Sequence, residues 1–274
     1  MGKHAQERPD SAAYRAKKEH FRRRLTVYGR NIVVEALQRP EVTCEHIHLA
    51  RGAQGHAIRE IRALAKAQGV AVREASREQV SRISRNARQD QGVAADLRLP
   101  GYGVAEDWIA EAPDRFRLLA LDGVTTPRNV GMCIRSAVAS GLDGVVIPQT
   151  GCAGLGPLVI KASAGTLFRA QLLRCETLAP VLESMRTLGS QVAVLSTDGA
   201  ADLFEYAPGP RVVYVVGGEA SGVSAAVRDL ATVTLSVPMA AGVESLNVGM
   251  CATLVGYRDR LGRAQAARGG APGG

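Results

Sequence analysis

From Phe116 onward, short and almost unbroken apolar runs alternate with stretches of helical spacing. The runs fall at residues 118–121, 145–147, 191–195, 212–216 and 233–237. A strand that is apolar at nearly every position offers no face to water, so it must be covered on both sides. The intervening helices supply that cover, and a last helix is expected from about 247 to 261. The predicted fold class is therefore α/β: a mostly parallel sheet with helices on both faces. No internal repeat is visible.

A smaller α/β unit precedes this half. Val27-Tyr28-Gly29-Arg30-Asn31 leads into a helical stretch over 32–37, followed by an apolar alternation at Ile47-His48-Leu49. A helix with apolar spacing runs through Ile58, Ile61, Leu64 and Ala65 and stops at Gly69. A strand at 70–72, a polar helix near 77–86 and a strand near 93–97 complete the unit. Pro100-Gly101-Tyr102-Gly103 breaks the pattern. The expected boundaries are a basic arm at 1–25, a small domain at 26–99, a linker at 100–115, the large domain at 116–263 and a small-residue tail at 264–274.

Charge and cysteine usage narrow the class of function. The net charge is +8, and +6 of it sits in residues 1–30, where nine Lys/Arg face three acidic residues. Such an arm has the footprint of a nucleic-acid binder, with Arg22, Arg23, Arg24 and Arg30 as candidate RNA contacts. A solvated tail with no target is the competing reading. The five cysteines are scattered and form no CxxC. That argues against a zinc knuckle or redox pair and for reduced thiols in a cytoplasmic protein. No apolar run approaches a membrane span, and no apolar leader is visible. All five histidines lie at or before His56, which excludes a Ser-His-Asp triad or a histidine metal site within the large domain.

Three peptides carry polar groups at strand ends or helix starts, where open α/β sheets place their ligands. The first is Asn129-x-Gly131-x-x-x-Arg135. Arg135 lies among Ile134, Ala137 and Val138, so it needs either an ion-pair partner such as Asp122 or a functional role. The second is Gly217-Gly218-Glu219, which suits close approach to a flat ligand or an ordinary turn. It is no dinucleotide fingerprint, because Glu219 stands where a glycine is needed. The third is Val237-Pro238-Met239 with Ser245-Leu246-Asn247. Ser245 reads as a cap for the last helix or as a site residue, and Asn247 adds a second polar group.

In this order and at these separations, the three peptides resemble the SpoU/TrmH branch of the SPOUT RNA 2′-O-ribose methyltransferases. Residues 26–99 resemble the L30e-like substrate-binding domain fused to bacterial 23S rRNA guanosine methyltransferases. The resemblance implies a deep trefoil knot, a homodimer joined through the knotted region and last helix, structured RNA as substrate, and S-adenosyl-L-methionine as cofactor. It implies no membrane or metal partner. Thr197, Gly217, Gly218, Val237, Met239 and Leu246 match cofactor-holding positions. Asn129, Arg135, Glu219, Ser245 and Asn247 match the catalytic polar set. The sequence departs from the family pattern at Thr126, Ala241, Gly249 and Asp90, of which the last two bear on helix packing and RNA contact. Methylation of tRNA ribose, or a non-catalytic RNA-binding or ribosome-associated role, are the alternatives to an rRNA target.

Overall fold

The computed structural model describes residues 23–219, 221–240 and 242–269. The first unit is a four-stranded sheet of β1 (Leu25–Tyr28), β2 (Thr43–Ala50), β3 (Ala71–Ala75) and β4 (Val93–Arg98), ordered β1-β4-β2-β3. β4 runs antiparallel to both neighbours, and β2 runs parallel to β3. Side chains alternate between the two faces. Ile47, Leu49, Ala95 and Leu97 pack with Val33 and Ala36 of α1 (Arg30–Leu37) and with Ile58 and Ile61 of α2 (His56–Gln68). Ala50 and Ala94 meet Val80 of α3 (Arg77–Ser84) on the opposite face. Gly69 ends α2 in the left-handed conformation, and Ser76 with Gln79 forms a capping box at α3.

The large unit has eight strands: β5 (Tyr102–Val104), β6 (Phe116–Asp122), β7 (Gly144–Pro148), β8 (Leu172–Cys175), β9 (Gln191–Leu195), β10 (Ala201–Asp202), β11 (Arg211–Gly217) and β12 (Val233–Ser236). Their order is β10-β12-β9-β11-β6-β7-β8-β5, and every neighbouring pair is parallel. The helices are α4 (Ala105–Ala110), α5 (Pro127–Ser140), α6 (Pro157–Ala162), α7 (Leu178–Thr187), α8 (Ala225–Arg228) and α9 (Val248–Gly269). Leu119, Leu121, Tyr214 and Val216 face a core shared with α5, α6 and α9. Leu118, Ala120, Val213 and Val215 face α7 and α8. Both faces of the sheet are thus covered, as its apolar strands require.

Close helix packing positions the site. A Cβ on Gly131 would stand 2.6 Å from Ala162 Cβ, so α5 approaches α6 only with glycine there. A Cβ on Gly249 would stand 2.8 Å from Met132 Cβ, which gives that departure a physical reason: α9 lies too close to α5 for a side chain. Ser136 and Thr253 hydroxyls meet across the same contact at 2.7 Å. Further along α9, the buried Asp259 accepts hydrogen bonds from Arg117 Nε at 2.7 Å and from the Tyr214 hydroxyl at 3.1 Å. Asp90, another departure, is fully buried and accepts from the Ser81 and Ser84 hydroxyls and the Gly92 amide. It shapes the turn into β4.

The expected linker at 100–115 is corrected. Its residues 102–104 form the edge strand β5, parallel to β8, and α4 follows. Gly101 passes the Ala170 carbonyl so closely that a Cβ would stand 2.5 Å from the oxygen, and Trp108 packs edge-on against Phe116 at 5.1 Å. β1, β8 and β10 were also absent from the expected strands, and α9 extends to Gly269 rather than about 261.

Candidate functional site

β12, β9 and β11 lie side by side, so the loops at their carboxyl ends converge on one cavity of about 660 Å³. That volume suits a small organic ligand. The loop after β9 contributes Thr197 and Asp198, and the turn after β11 contributes Gly217, Gly218 and Glu219. The segment between β12 and α9 contributes Val237, Met239, Ser245, Leu246 and Asn247. All six residues expected to hold a cofactor line this cavity, with three of the five expected catalytic residues.

The glycines are required by crowding of main chain. A Cβ on Gly217 would collide with the backbone of Gly222 and Val223, and one on Gly218 with the Gly123 carbonyl. Gly218 N–H donates to the Asp122 carbonyl at 2.9 Å, and Gly222 N–H donates back to the Gly218 carbonyl at 2.9 Å. The Asp122 carboxylate accepts from the Ser224 amide at 2.6 Å. It is therefore engaged in shaping this turn, and no ion pair with Arg135 forms.

Asn247 ties the three peptides together. Its side-chain oxygen accepts from the Gly249 amide at 2.9 Å, which caps α9. Its amide nitrogen donates to Asn129 Oδ1 at 3.1 Å and to Glu219 Oε1. Asn129 is buried at the first turn of α5, held by its own amide to the Thr126 carbonyl at 3.0 Å. The cap is thus Asn247 and not Ser245. The Ser245 hydroxyl lines the cavity, is exposed, and has no hydrogen-bond partner among the described residues.

Arg135 is placed differently from Asn129. Six positions at about 100° each carry it to another side of α5. It is exposed, does not line the cavity, and makes no hydrogen bond or ion pair among the described residues. It shares its side of the helix with Ala139, whose carbonyl accepts from Arg260 of α9 at 3.1 Å.

Three of the four arginines expected to contact RNA have intramolecular partners. Arg23 pairs with Asp107 at 3.2 Å and Arg24 with Asp96 at 3.3 Å. Arg30 donates to the carbonyls of Gln54 and Gln91 at 3.0 and 3.3 Å, tying two turns together. Arg22 and Ala241 lie outside the described residues.

Two charged residues of the cavity were missed. Asp198 follows β9, and its carboxyl is held below the usual range by a hydrogen bond from Ser196. Arg228 also lines the cavity and donates to the Val223 carbonyl at 3.3 Å. A carboxylate just past a strand end, as at Asp198, was the available signal. Cys251 also lines the cavity, but burial raises its thiol pKa, as burial pushes Cys44 and Cys175 up to about 12. These thiols are poor nucleophiles at neutral pH. Among the described residues no group of three His, Cys, Asp or Glu is placed to hold a metal, and no helix is long and apolar enough to cross a membrane.

Comparison with known proteins adds to this geometry. Residues 117–257 match the SpoU rRNA Methylase family, and residues 26–103 match a family described as RNA 2′-O ribose methyltransferase substrate binding. An uncharacterized tRNA/rRNA methyltransferase of Mycolicibacterium vanbaalenii is 35% identical over 235 residues, which is 84% of this chain and 74% of that protein. A protein of the same description from Mycobacterium tuberculosis is 35% identical over 84% of this chain and 72% of its own length. The fold is shared with the SpoU methyltransferase AviRb of Streptomyces viridochromogenes, solved with AdoMet (TM-score 0.65, 21% identity, 93% of this chain and 94% of that one). It is shared also with an AdoMet-bound rRNA methyltransferase from Sinorhizobium meliloti (TM-score 0.60, 22% identity, 90% of each chain).

Proposed function

The chain belongs to the SpoU rRNA methylase family, and from that premise we propose that it methylates a ribose 2′-hydroxyl of structured RNA, using S-adenosyl-L-methionine. The favoured target is a guanosine of 23S rRNA in the cytoplasm. The observation that carries this reading is the Asn129–Asn247–Glu219 bridge at the wall of a glycine-built cavity.

The cavity fits the cofactor. Main chain at Gly217, Gly218, Val237 and Leu246, with Thr197 and Met239 beside them, offers a close, largely uncharged wall for a flat adenosine. Glu219 and Asp198 favour the ligand's positive centres, and Arg228 favours its carboxylate. When bound, the cofactor supplies an activated methyl group, so the protein's share of the work is alignment and charge stabilisation. The chain's own task would then be to align the ribose hydroxyl with that methyl group and to give the hydroxyl proton a way out.

Asn129 and Asn247 hold Glu219 at the cavity wall. The Ser245 hydroxyl is available to the substrate ribose or its phosphate, whereas the amides of Gly249, Met250 and Cys251 already donate to Asn247. Arg135 lies outside the cavity and has no intramolecular partner among the described residues, so it is available to an RNA phosphate, through which it would position the ribose hydroxyl. A guanidinium does not deprotonate in proteins, so its role is electrostatic and the proton leaves through another group or water. Arg135→Ala should lower turnover by at least about 100-fold at saturating cofactor. Near-wild-type turnover in that variant would refute the role. Calorimetry with S-adenosylhomocysteine tests the cofactor, since no binding favours a non-catalytic RNA-binding protein. Mapping of 2′-O-methyl sites in rRNA and tRNA, with and without the gene, decides the substrate.

The reading includes a homodimer and a knotted C-terminal path. Exposed Met250, Tyr257 and Leu261 form a stripe on α9, and Leu158 of α6 is exposed as well. Apolar side chains in such a row favour burial against another surface. Sedimentation should give twice the monomer mass. A monomer that remains active would sink this part.

A further inference from the structure

A second and larger cavity, about 1470 Å³, opens between the two units. One wall is β1 and α3 of the small domain, and the other is the carboxyl edge of β7 and β8 with the edge strand β5. Tyr28 reaches across, its hydroxyl 3.1 Å from the place a Cβ on Gly156 would take. None of the residues expected from the sequence motifs faces this crevice except Arg24.

Its charged groups are mostly cationic. Arg24, Arg82, Arg85 and Arg174 line it, against Glu106 and Glu176. Arg82 and Arg85 are exposed and make no hydrogen bond or ion pair among the described residues. Arg174 stands out. It sits in β8 between Ile147 of β7 and Val104 of β5, on the same side of the strand as the apolar Leu172. Its Nη1 is buried and has no hydrogen-bond partner among the described residues. A guanidinium nitrogen withdrawn from water without an acceptor is costly to maintain. Burial raises the pKa of Tyr102 at the crevice wall, and the Arg174 charge opposes that rise. Neither Glu106 nor Glu176 forms an ion pair with Arg174.

The crevice lies on the same carboxyl edge of the sheet as the glycine-built cavity. β8 is three strands from β11, so the two sites are about 14 Å apart along the edge. We infer that this crevice is a binding site for the backbone of single-stranded RNA flanking the target nucleotide, with Arg174 and the Arg82–Arg85 pair as phosphate ligands. The inference rests on the reading of the chain as an RNA methyltransferase. A cationic groove lined by aromatic rings, here Tyr28 and Tyr102, suits a single strand whose bases stack and whose phosphates pair with guanidinium. The splayed strand would pass from the crevice to the cavity mouth, and the small domain would grip it on the far side. RNA enzymes that act on one nucleotide prefer such unpaired segments.

The test uses the full chain and a fluorescent single-stranded oligouridine, which offers backbone without any particular target sequence. Arg174→Met and the double variant Arg82→Gln/Arg85→Gln are titrated at several salt concentrations. Each should weaken binding several-fold, and the slope of log K against log salt should flatten by about 0.7 per cation removed. Arg174→Lys, which keeps the charge, should restore most of the slope. S-adenosylhomocysteine affinity should stay at the wild-type value in all three, which also reports on folding. Unchanged oligouridine affinity and slope in the double variant, with cofactor binding intact, would overturn the inference whatever Arg174→Met does. Wild-type protein that binds oligouridine but no S-adenosylhomocysteine would instead overturn the methyltransferase reading and leave the groove assignment standing as RNA binding alone.

Discussion

The two cavities on the carboxyl edge of the large sheet are built from opposite materials. The smaller one is walled by crowded main chain at Gly217, Gly218 and the segment before α9, with its side chains cross-linked through Asn247. The larger one is walled by long arginine side chains from two domains, one of them holding a buried nitrogen with no partner among the described residues. Main chain sets a fixed shape and carries little net charge, so it selects a small ligand by fit. Arginines on flexible stems set a charge density and tolerate variation in what passes beneath them. The contrast separates a site for one molecule from a site for a polymer, and it makes salt the natural probe. Cofactor affinity should hardly respond to ionic strength, whereas RNA affinity should fall steeply.

The strongest way to break this contrast is to add one carbon to the glycine-built wall. Gly217→Ala places a Cβ against the backbone of Gly222 and Val223, where neither neighbour can rotate away as a side chain would. We expect S-adenosylhomocysteine affinity to fall by at least about 100-fold, or about 2.7 kcal/mol, while oligouridine binding stays within about two-fold of wild type. Calorimetry and fluorescence titration on the same preparation check both halves. Retained cofactor affinity would mean that the cavity yields, and that main-chain shape is not what defines it.

A smaller effect is expected at the residue that joins the peptides. Asn247→Ala removes the cap of α9 and leaves buried Asn129 without its donor. Loss of a helix cap costs about 1 kcal/mol, and an unsatisfied buried acceptor about 1–3 kcal/mol. Turnover should fall by about 10- to 100-fold, with a lowered melting temperature and a lesser change in cofactor affinity. Asn247→Asp keeps the acceptor for the Gly249 amide but faces Glu219 with a like charge. It should therefore recover the melting temperature better than the turnover. Equal recovery of both would show that Asn247 serves only as a cap.

Much of this site was legible because its signals are local. The apolar runs marked β6, β7, β9, β11 and β12, and glycine pairs and helix-start polar residues marked the loops that follow them. Asn247 as cap was harder, because Ser245 and Asn247 are both good capping residues and only the start of α9 at Val248 decides between them. The second cavity was not legible at all. Its central residue, Arg174, interrupts the short apolar run 172–175, so β8 did not look like a buried strand. Pro100-Gly101 looked like the end of a domain, although Gly101 is there because the Ala170 carbonyl lies against it. Arg135 shows the limit most plainly. Spacing along α5 placed it beside Asn129 in sequence, but helical rotation carries it away from the cavity that Asn129 borders.

The smallest expected effect sharpens the comparison from the small-domain side. Asp96 of β4 anchors Arg24, which lines the crevice, and it also accepts from the Thr26 hydroxyl at 2.7 Å and lies 3.1 Å from His48 Nε2. Burial alone pushes its carboxyl pKa up, but the hydrogen bonds from His48 and Thr26 and the charge of Arg24 outweigh it and hold the value below the usual carboxylate range. A depressed folded pKa means that the stabilisation is fully present above the unfolded value of about 3.9 and is lost as pH falls through the folded value. The melting temperature should therefore be flat with respect to this group at neutral pH and decline below about pH 4. Asp96→Asn should show a lower plateau and a shallower acid decline, because no proton is taken up at that position. Oligouridine affinity at neutral pH should weaken by no more than about two-fold, since Arg24 loses its anchor but keeps its charge, and S-adenosylhomocysteine affinity should not change. An acid decline as steep in Asp96→Asn as in wild type would place the titration elsewhere, and a changed cofactor affinity would show that the two cavities are coupled through the sheet.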